Sequence, residues 1–191
     1  DEIAYYLPTL LPMMLNVLQT DAAPKRENTR RVLRALESMV ESLEPFLYSV
    51  VPAVLELTSD DETPLDVRRE ALLRLGAMCT RHDVGSLASL LTHKLCRVLG
   101  MNGPFKDLRA DAMATLYGLA FQLGADYLVL EPTVRQVMRR QAIHDERYER
   151  LLLMIMQGMD LQSDPSLAPP NAAGAAGAGA TMERRRRHSS Q

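Results

Sequence analysis

Arginine recurs along this chain at a nearly constant interval, at Arg30, Arg69, Arg109 and Arg147. Two prolines, Pro12 and Pro52, recur at a similar interval, and apolar residues follow each of them. An internal repeat constrains the fold more than any other feature here, because every period must adopt the same supersecondary structure.

Apolar residues follow a helical period over most of the chain, without the sustained alternation that a half-buried strand shows. Each period divides into a shorter helix and a longer amphipathic helix that carries the recurring arginine near its start. The shorter helices are predicted at 6–18, 46–57, 87–99 and 128–138, and the longer ones include apolar stripes at 32–43, 65–79, 108–123 and 148–159. The sequence therefore predicts eight helices in four hairpins.

Two helices in each period of roughly 40 residues are typical of the HEAT class of α-solenoid. A hairpin of this size cannot bury its apolar face alone, so neighbouring hairpins must stack to form the core. We therefore predict an all-α, HEAT-type α-solenoid of about four helical hairpins over residues 1–163. In the third hairpin, Tyr117 and Phe121 lie opposite the apolar stripe, which predicts a helix packed between two layers. The alternative is an irregular helical bundle whose period is fortuitous.

Helix boundaries also have local signals. The segment Thr63-Pro64-Leu65-Asp66 matches a capping box, with a hydroxyl at the N-cap, proline at the first helical position and a carboxylate at the third. Glycines lie where helices are predicted to end, at Gly100, Gly124 and Gly158. These signals agree with the division into eight helices.

Composition and charge exclude several classes of protein. The chain is 47% hydrophobic with a net charge of −2, so we expect no nucleic-acid binding, which usually requires a clearly basic domain. Its apolar stretches are too short for a transmembrane segment. It has two cysteines and opens on Asp1-Glu2, where a signal peptide would have a basic region. We therefore expect a protein of the reducing cytoplasm.

The character of the sequence changes after residue 163. We predict that residues 164–191 form a low-complexity linker and an Arg-rich disordered tail, because this sequence offers little to pack. The tail carries a charge of +2 and the array −4. The run Arg184–Arg187 precedes Ser189 and Ser190, which are candidate phosphosites for a basophilic kinase, since a phosphate would pair with the arginines. A nuclear-import-like patch and plain solubilising charge are the alternatives.

Four residues have the spacing of a metal site, namely Cys79, His82, His93 and Cys96. Two thiolates and two imidazoles suit tetrahedral zinc. However, Cys79 falls on the apolar stripe of its helix, where a cysteine behaves as a small buried hydrophobe. Cys96 lies opposite the apolar side of its own helix, so the two halves need not face one site. We therefore predict no metal and treat the four residues as a weak candidate.

No pattern in the sequence points to catalysis. It lacks the glycine-rich loop and the His-Arg-Asp and Asp-Phe-Gly motifs of a kinase domain, and no grouping of Ser, His and an acid suggests a catalytic triad. We therefore predict that this segment is not an enzyme and holds no cofactor. The methionines are predicted to fill gaps in the core, among them Met13, Met14, Met138, Met154 and Met156.

One stretch of the chain is more specific than the helical period. It consists of Phe121-Gln-Leu-Gly-Ala-Asp-Tyr127, then Pro132-Thr-Val-Arg-Gln-Val137, then Ile143-His-Asp-Glu-Arg-Tyr148. This order resembles the pattern FQLG-x-x-Y…P-x-V-x-x-V…I-x-H/D-x-R-Y in the middle HEAT region of the target-of-rapamycin (TOR) protein kinases. Segments 6–12, 86–93 and 109–116 also match in order, and the resemblance spans about residues 1–160.

The resemblance implies a non-catalytic scaffold segment of a TOR-family Ser/Thr protein kinase in nutrient and growth signalling. It implies that ATP and Mg²⁺ bind to a kinase domain elsewhere in the parent chain, and no catalytic residue of the family maps onto this segment. The implied partners are Raptor- or Rictor-type subunits and a second TOR protomer. The implied location is cytoplasmic, at the periphery of endomembranes as part of a TOR complex.

The linker and Arg-rich tail depart from the pattern of the family and resemble a lineage-specific insertion. An alternative function therefore stands beside the first one. The chain would then be an independent HEAT-repeat adaptor of the nuclear-transport or vesicle-coat type, whose basic tail recruits a partner.

Overall fold

Helices dominate the computed structural model, which describes residues 2–161 and 164–169. Within these residues it has eight α-helices and no strand, so the all-α prediction with eight helices is confirmed. The helices are α1 (Glu2–Thr20), α2 (Glu27–Ser38), α3 (Leu47–Ser59), α4 (Leu65–Arg81), α5 (Ala88–Gly100), α6 (Arg109–Leu123), α7 (Glu131–Arg140) and α8 (Glu146–Met156). Most of the predicted tail, residues 170–191, lies outside the described residues.

The helices form two parallel rows. The odd-numbered helices α1, α3, α5 and α7 contact one another in succession, and the even-numbered helices do the same. Within the first three hairpins the two helices also pack against each other, while α7 and α8 both contact the 3₁₀ helix Gly124–Val129. Each hairpin therefore buries its apolar faces against its neighbours, which confirms the predicted α-solenoid.

Helix α6 lies between layers, as Tyr117 and Phe121 had indicated. It packs against α4, α5 and α8. Leu116 and Leu119 are fully buried, and Tyr117 on another side of the helix is 3% exposed. Gly118 lets α4 come close, because a Cβ at this position would be 3.2 Å from Thr80 Cγ2. This helix is therefore the centre of the core.

The capping box predicted at Thr63 is wrong. Pro64 occupies the position before α4, and no side chain caps this helix. The hydroxyl of Thr63 donates instead to Asp60 Oδ2 at 2.6 Å, and this hydrogen bond is the main reason that the pKa of Asp60 is lowered. Asp66 forms an ion pair with Arg30. Asp66 Oδ1 still accepts from the backbone N–H of Val67 in the first turn, but Thr63 takes no part in capping α4.

The boundary predicted at residue 163 also differs from the structure. Residues 164–169, named the strap from here on, pack onto the array and include a 3₁₀ helix at Pro165–Leu167. Leu167 is 2% exposed and belongs to the apolar core. The prediction relied on the average composition of this region, which hides the single leucine that packs against the helices.

Within residues 2–161 and 164–169, no single helix is long and apolar enough to cross a membrane. The helical segments Gly103–Val129 and Glu131–Arg140 are long and apolar enough for a membrane span only when taken together. They are bent by 102° relative to each other.

The core assignment of α6 can be tested with a charge. We expect Leu116→Asp to lower the free energy of unfolding by about 4 kcal/mol, because it places an unpaired carboxylate in the core. Leu153→Asp is the matched control, since Leu153 is 54% exposed on α8. Thermal melting followed by circular dichroism measures both. Equal melting temperatures for the two variants would contradict the assignment.

Candidate functional site

The recurring arginines connect successive hairpins. Arg69 Nε donates to Asp111 Oδ2 at 3.0 Å, and Arg109 Nη2 donates to Gln141 Oε1 at 2.7 Å. Each arginine has its partner further along the array: Asp66 for Arg30, Asp111 for Arg69, Gln141 for Arg109 and the carbonyl of Ala168 for Arg147. The period in the sequence therefore corresponds to a row of contacts between hairpins.

Ion pairs also align α2 and the residues just after it with α4. Which of the two elements carries the basic residue changes along their length. Towards the start of the helices the base is on α2 and the acid on α4, as in Arg34 with Glu70 at 3.4 Å. Just beyond the end of α2 the arrangement is reversed: the acidic residue follows α2 and the basic residue lies on α4, as in Glu41 with Arg81 at 3.6 Å. Pairs that are partly exposed contribute at most about 1 kcal/mol each. Their main effect is on register, because sliding one helix along the other would place like charges together.

Arg68 on α4 is fully buried. Its Nε donates to the carbonyl oxygen of Thr63 at 2.9 Å, and Nη2 donates to the carbonyl oxygen of Asp60. The guanidinium lies 4.2 Å from the ring centroid of Phe105, in the segment that precedes α6. Burial lowers the pKa of Arg68, and the nearby carboxylate of Asp61 opposes this effect. One side chain therefore joins the turn before α4 to the next hairpin.

The sequence analysis missed Arg68, although a signal was present. Arg68 lies three residues after Leu65 and four before Leu72, so it occupies a position on the apolar stripe of α4. An arginine on such a stripe must either leave the core or find hydrogen-bond acceptors within it. The turn at residues 60–63 supplies those acceptors, and only the folded chain brings it close.

The two tyrosines of the TOR-like motif meet in the core. The hydroxyl groups of Tyr127 and Tyr148 are 2.9 Å apart, and their rings lie edge to face with centroids 6.4 Å apart. Both side chains are buried, which raises the pKa of each phenol. Pro132 lies in the first turn of α7, where a missing N–H costs nothing. The motif therefore marks a packed junction between hairpins and not a reactive site.

The structure does not bring the four zinc candidates into one site. His82 Nε2 lies 2.7 Å from the carbonyl oxygen of Val40, so this nitrogen carries the proton. His93 is exposed, whereas Cys79 and Cys96 are buried. Burial raises the pKa of the Cys79 thiol to about 12 and that of Cys96 to about 11. Within the part of the chain that the structure describes, no three His, Cys, Asp or Glu side chains are placed to hold a metal.

Other predicted residues lie elsewhere. Ser189, Ser190 and the run Arg184–Arg187 are outside the described residues, so their role stays a prediction. Among the methionines, Met138 is buried, and Met14 and Met154 pack against the core. The prediction that methionines fill the core is wrong for Met13 and Met156, which are 63% and 67% exposed. Both lie on helices at the ends of the described array, where no further hairpin covers them.

Helix α1 has a second apolar face that the sequence analysis did not recognise. The face consists of Ile3, Tyr6, Leu10 and Met13, all of which are exposed. No charged residue occurs from Ile3 to Thr20, which is unusual for a helix that faces water. The spacing of three and four residues was readable in the sequence, but the prediction began the helix at residue 6.

Stacked hairpins joined by contacts from repeat to repeat define an α-solenoid segment, a class that offers extended surfaces. No protein-family model matches the chain. It is 36% identical over 154 residues to the Drosophila melanogaster Serine/threonine-protein kinase mTor, a match covering 81% of this chain and 6% of that protein. It is 30% identical over 164 residues to Schizosaccharomyces pombe Serine/threonine-protein kinase tor1, covering 86% and 7% respectively.

The match extends to a second fungus. The chain is 26% identical over 151 residues to Saccharomyces cerevisiae Serine/threonine-protein kinase TOR2, which covers 79% of this chain and 6% of that protein. The chain belongs to the TOR family and corresponds to a segment of its members, since it spans 6–7% of the length of these three curated relatives. The described residues contain helices but none of the strands that a kinase domain needs.

Arg68 should matter more for stability than its neighbour. We expect Arg68→Ala to lower the free energy of unfolding by about 3 kcal/mol, because one buried and one part-buried carbonyl oxygen would lose a charged donor. Arg69→Ala is the control and should cost less than about 1 kcal/mol, because Arg69 is half exposed. Urea denaturation measures both changes. A smaller loss for Arg68→Ala than for Arg69→Ala would contradict this account.

The thiols should be unreactive in the folded chain. With pKa values raised to about 12 and 11, Cys79 and Cys96 have almost no thiolate at pH 8. We expect negligible labelling by a disulfide reagent at pH 8 and two labelled thiols after unfolding in urea. Adding a chelator should change neither result. Rapid labelling of the folded chain, or a chelator effect, would show that the thiols are exposed or bind a metal.

Proposed function

We propose that this chain is a non-catalytic scaffold segment of a TOR-family Ser/Thr protein kinase, which shapes the solenoid and docks partner subunits. The observation that carries the proposal is the uncovered apolar face of α1, formed by Ile3, Tyr6, Leu10 and Met13. Terminal repeats of a solenoid need a polar outer face to stay in water. An uncharged, apolar face on α1 is instead typical of an interior helix, which supports a longer array.

The charges at the same end support this interpretation. Glu27 lies three residues before Arg30, as Asp66 lies three residues before Arg69. Asp66 receives the recurring arginine of the preceding hairpin, Arg30. Glu27 is exposed and is therefore available to an arginine from a hairpin packed before α1 and α2. The apolar face and this carboxylate together match what an added hairpin of the same type would offer.

The remaining parts of the proposal rest on the TOR relatives. The parent protein would phosphorylate protein substrates with ATP and Mg²⁺ bound to a kinase domain outside this segment. Its partners would be Raptor- or Rictor-type subunits and a second TOR protomer, and it would act in the cytoplasm, at the periphery of endomembranes. Ser189 or Ser190, after Arg184–Arg187, would be a phosphosite for a basophilic kinase. The added phosphate would neutralise the basic run.

The experiment compares one substitution in two contexts. Leu10 is 44% exposed, so Leu10→Asp should leave the melting temperature of the 191-residue chain nearly unchanged. In the full-length protein the same change should place a charge between two hairpins and reduce co-purification of Raptor- or Rictor-type subunits at least fivefold. Val129→Asp is the control in both contexts, because Val129 is 83% exposed and lies away from α1.

Two outcomes would overturn the proposal. Normal recovery of the subunits with Leu10→Asp would show that the α1 face has no role in the scaffold. A full-length protein of HEAT repeats without kinase activity, which still binds its partners, would favour the independent adaptor.

A further inference from the structure

The strap, residues 164–169, occupies a site made by α6 and α8. Tyr117 Oη on α6 donates to the carbonyl oxygen of Leu167 at 2.7 Å. Arg147 Nη2 on α8 donates to the carbonyl oxygen of Ala168 at 2.6 Å. The side chain of Leu167 is 2% exposed and joins the core. Two donors and one apolar contact therefore hold two consecutive residues of the strap.

Both donors bind main-chain atoms. A carbonyl oxygen is present at every residue, so these hydrogen bonds would form with any peptide that can place its backbone in the same way. The apolar contact at Leu167 is the part that selects a side chain. This division, in which the backbone contributes affinity and a pocket contributes specificity, is typical of peptide-binding sites.

The two donors also contact each other. The guanidinium of Arg147 lies 4.7 Å from the centroid of the Tyr117 ring, at the distance of a cation–π contact. With the strap in place, Tyr117 is 3% exposed, so its ring has little freedom there. Contact between Arg147 and Tyr117 limits the conformations of both side chains, and a site with fewer conformations loses less entropy when it binds a peptide.

The strap is ordered locally as well. The backbone N–H of Ser166 donates to Asp164 Oδ1 at 2.9 Å, and that of Leu167 donates to the carbonyl oxygen of Asp164 at 3.1 Å. This turn presents Leu167 towards the helices. A short segment with such a turn can bind as a unit, because its own hydrogen bonds reduce the number of unbound conformations.

The position of the strap within the array is informative. The recurring arginines of the first three hairpins bind side chains of the following hairpin, namely Asp66, Asp111 and Gln141. Arg147 is the fourth of these arginines, and it binds the strap. The strap therefore takes the place that side chains of a further hairpin take in the preceding repeats.

We propose that the Tyr117–Arg147 site is a peptide-binding site for short leucine-containing segments, and that the strap is its occupant in cis. The ligand class is a peptide with a leucine, bound through the carbonyl oxygens of the leucine and of the residue after it. The strap closes this end of the array and competes with any peptide of the same type. The site thus lies outside the α1 face on which the proposed scaffold role rests.

The test uses the 191-residue chain and a fluorescein-labelled peptide, Ser-Asp-Pro-Ser-Leu-Ala-Pro-Pro. Leu167→Asp removes the apolar contact of the strap and should open the site. A tethered segment has an effective concentration in the millimolar range, so the peptide should bind at least tenfold more tightly to Leu167→Asp than to the unaltered chain. Fluorescence anisotropy measures both affinities.

Three controls make the result decisive. Leu153→Asp carries the same change at an exposed leucine on α8 and should bind no better than the unaltered chain. A peptide with Asp in place of Leu should not bind to Leu167→Asp. Adding Tyr117→Phe to Leu167→Asp keeps the ring and removes one donor, so peptide affinity should fall about fivefold or more.

The melting temperature of each variant shows whether it is folded. Because Leu167 is near the end of the described chain, Leu167→Asp should stay folded, and cleavage of the strap by a protease should become faster. Equal peptide affinity for the unaltered chain and folded Leu167→Asp, or no binding to either, would overturn the proposal.

Discussion

The structure depends on the burial of apolar helix faces between hairpins. No described hairpin buries its apolar faces alone, and the core is continuous because each hairpin covers the next. Helix α6 shows this most clearly, since Leu116 and Tyr117 are buried on different sides of one helix. Stability in such an array is a sum of intrinsic and nearest-neighbour terms. The apolar face of α1 is exposed because no hairpin covers it at that end of the described array.

Apolar burial has no direction, so charge and hydrogen bonds determine how the hairpins align. Acidic and basic residues exchange places between α2 and α4 along their length, so a shifted register would bring like charges together. Arg69 and Arg109 connect the hairpins further along the chain. Each exposed pair contributes little free energy. Arg68 differs because it is buried and binds two carbonyl oxygens, so it combines alignment with stability. These contacts keep the geometry of the array constant.

Sequence reasoning succeeded where the signal was periodic and local. The eight helices and the row of arginines followed from spacing, because a helix repeats its faces every 3.6 residues whatever its surroundings. It failed where a side chain binds another partner than the motif assumes, or where composition was averaged. Thr63 was expected to cap α4, but its hydroxyl donates a hydrogen bond to Asp60 Oδ2 instead. Leu167 was assigned to a linker by the composition around it, although its own side chain packs in the core.

The sequence by itself determined the repeat, the number of helices and the resemblance to the TOR family, because these depend on residue order alone. The tertiary structure decided which partner each side chain takes. It joined Tyr127 to Tyr148, gave Arg68 its acceptors, separated the four zinc candidates and left one face of α1 uncovered. The reason is physical: a hydrogen bond or an apolar contact forms over a few ångströms, and only folding brings residues that are far apart in the chain within that distance.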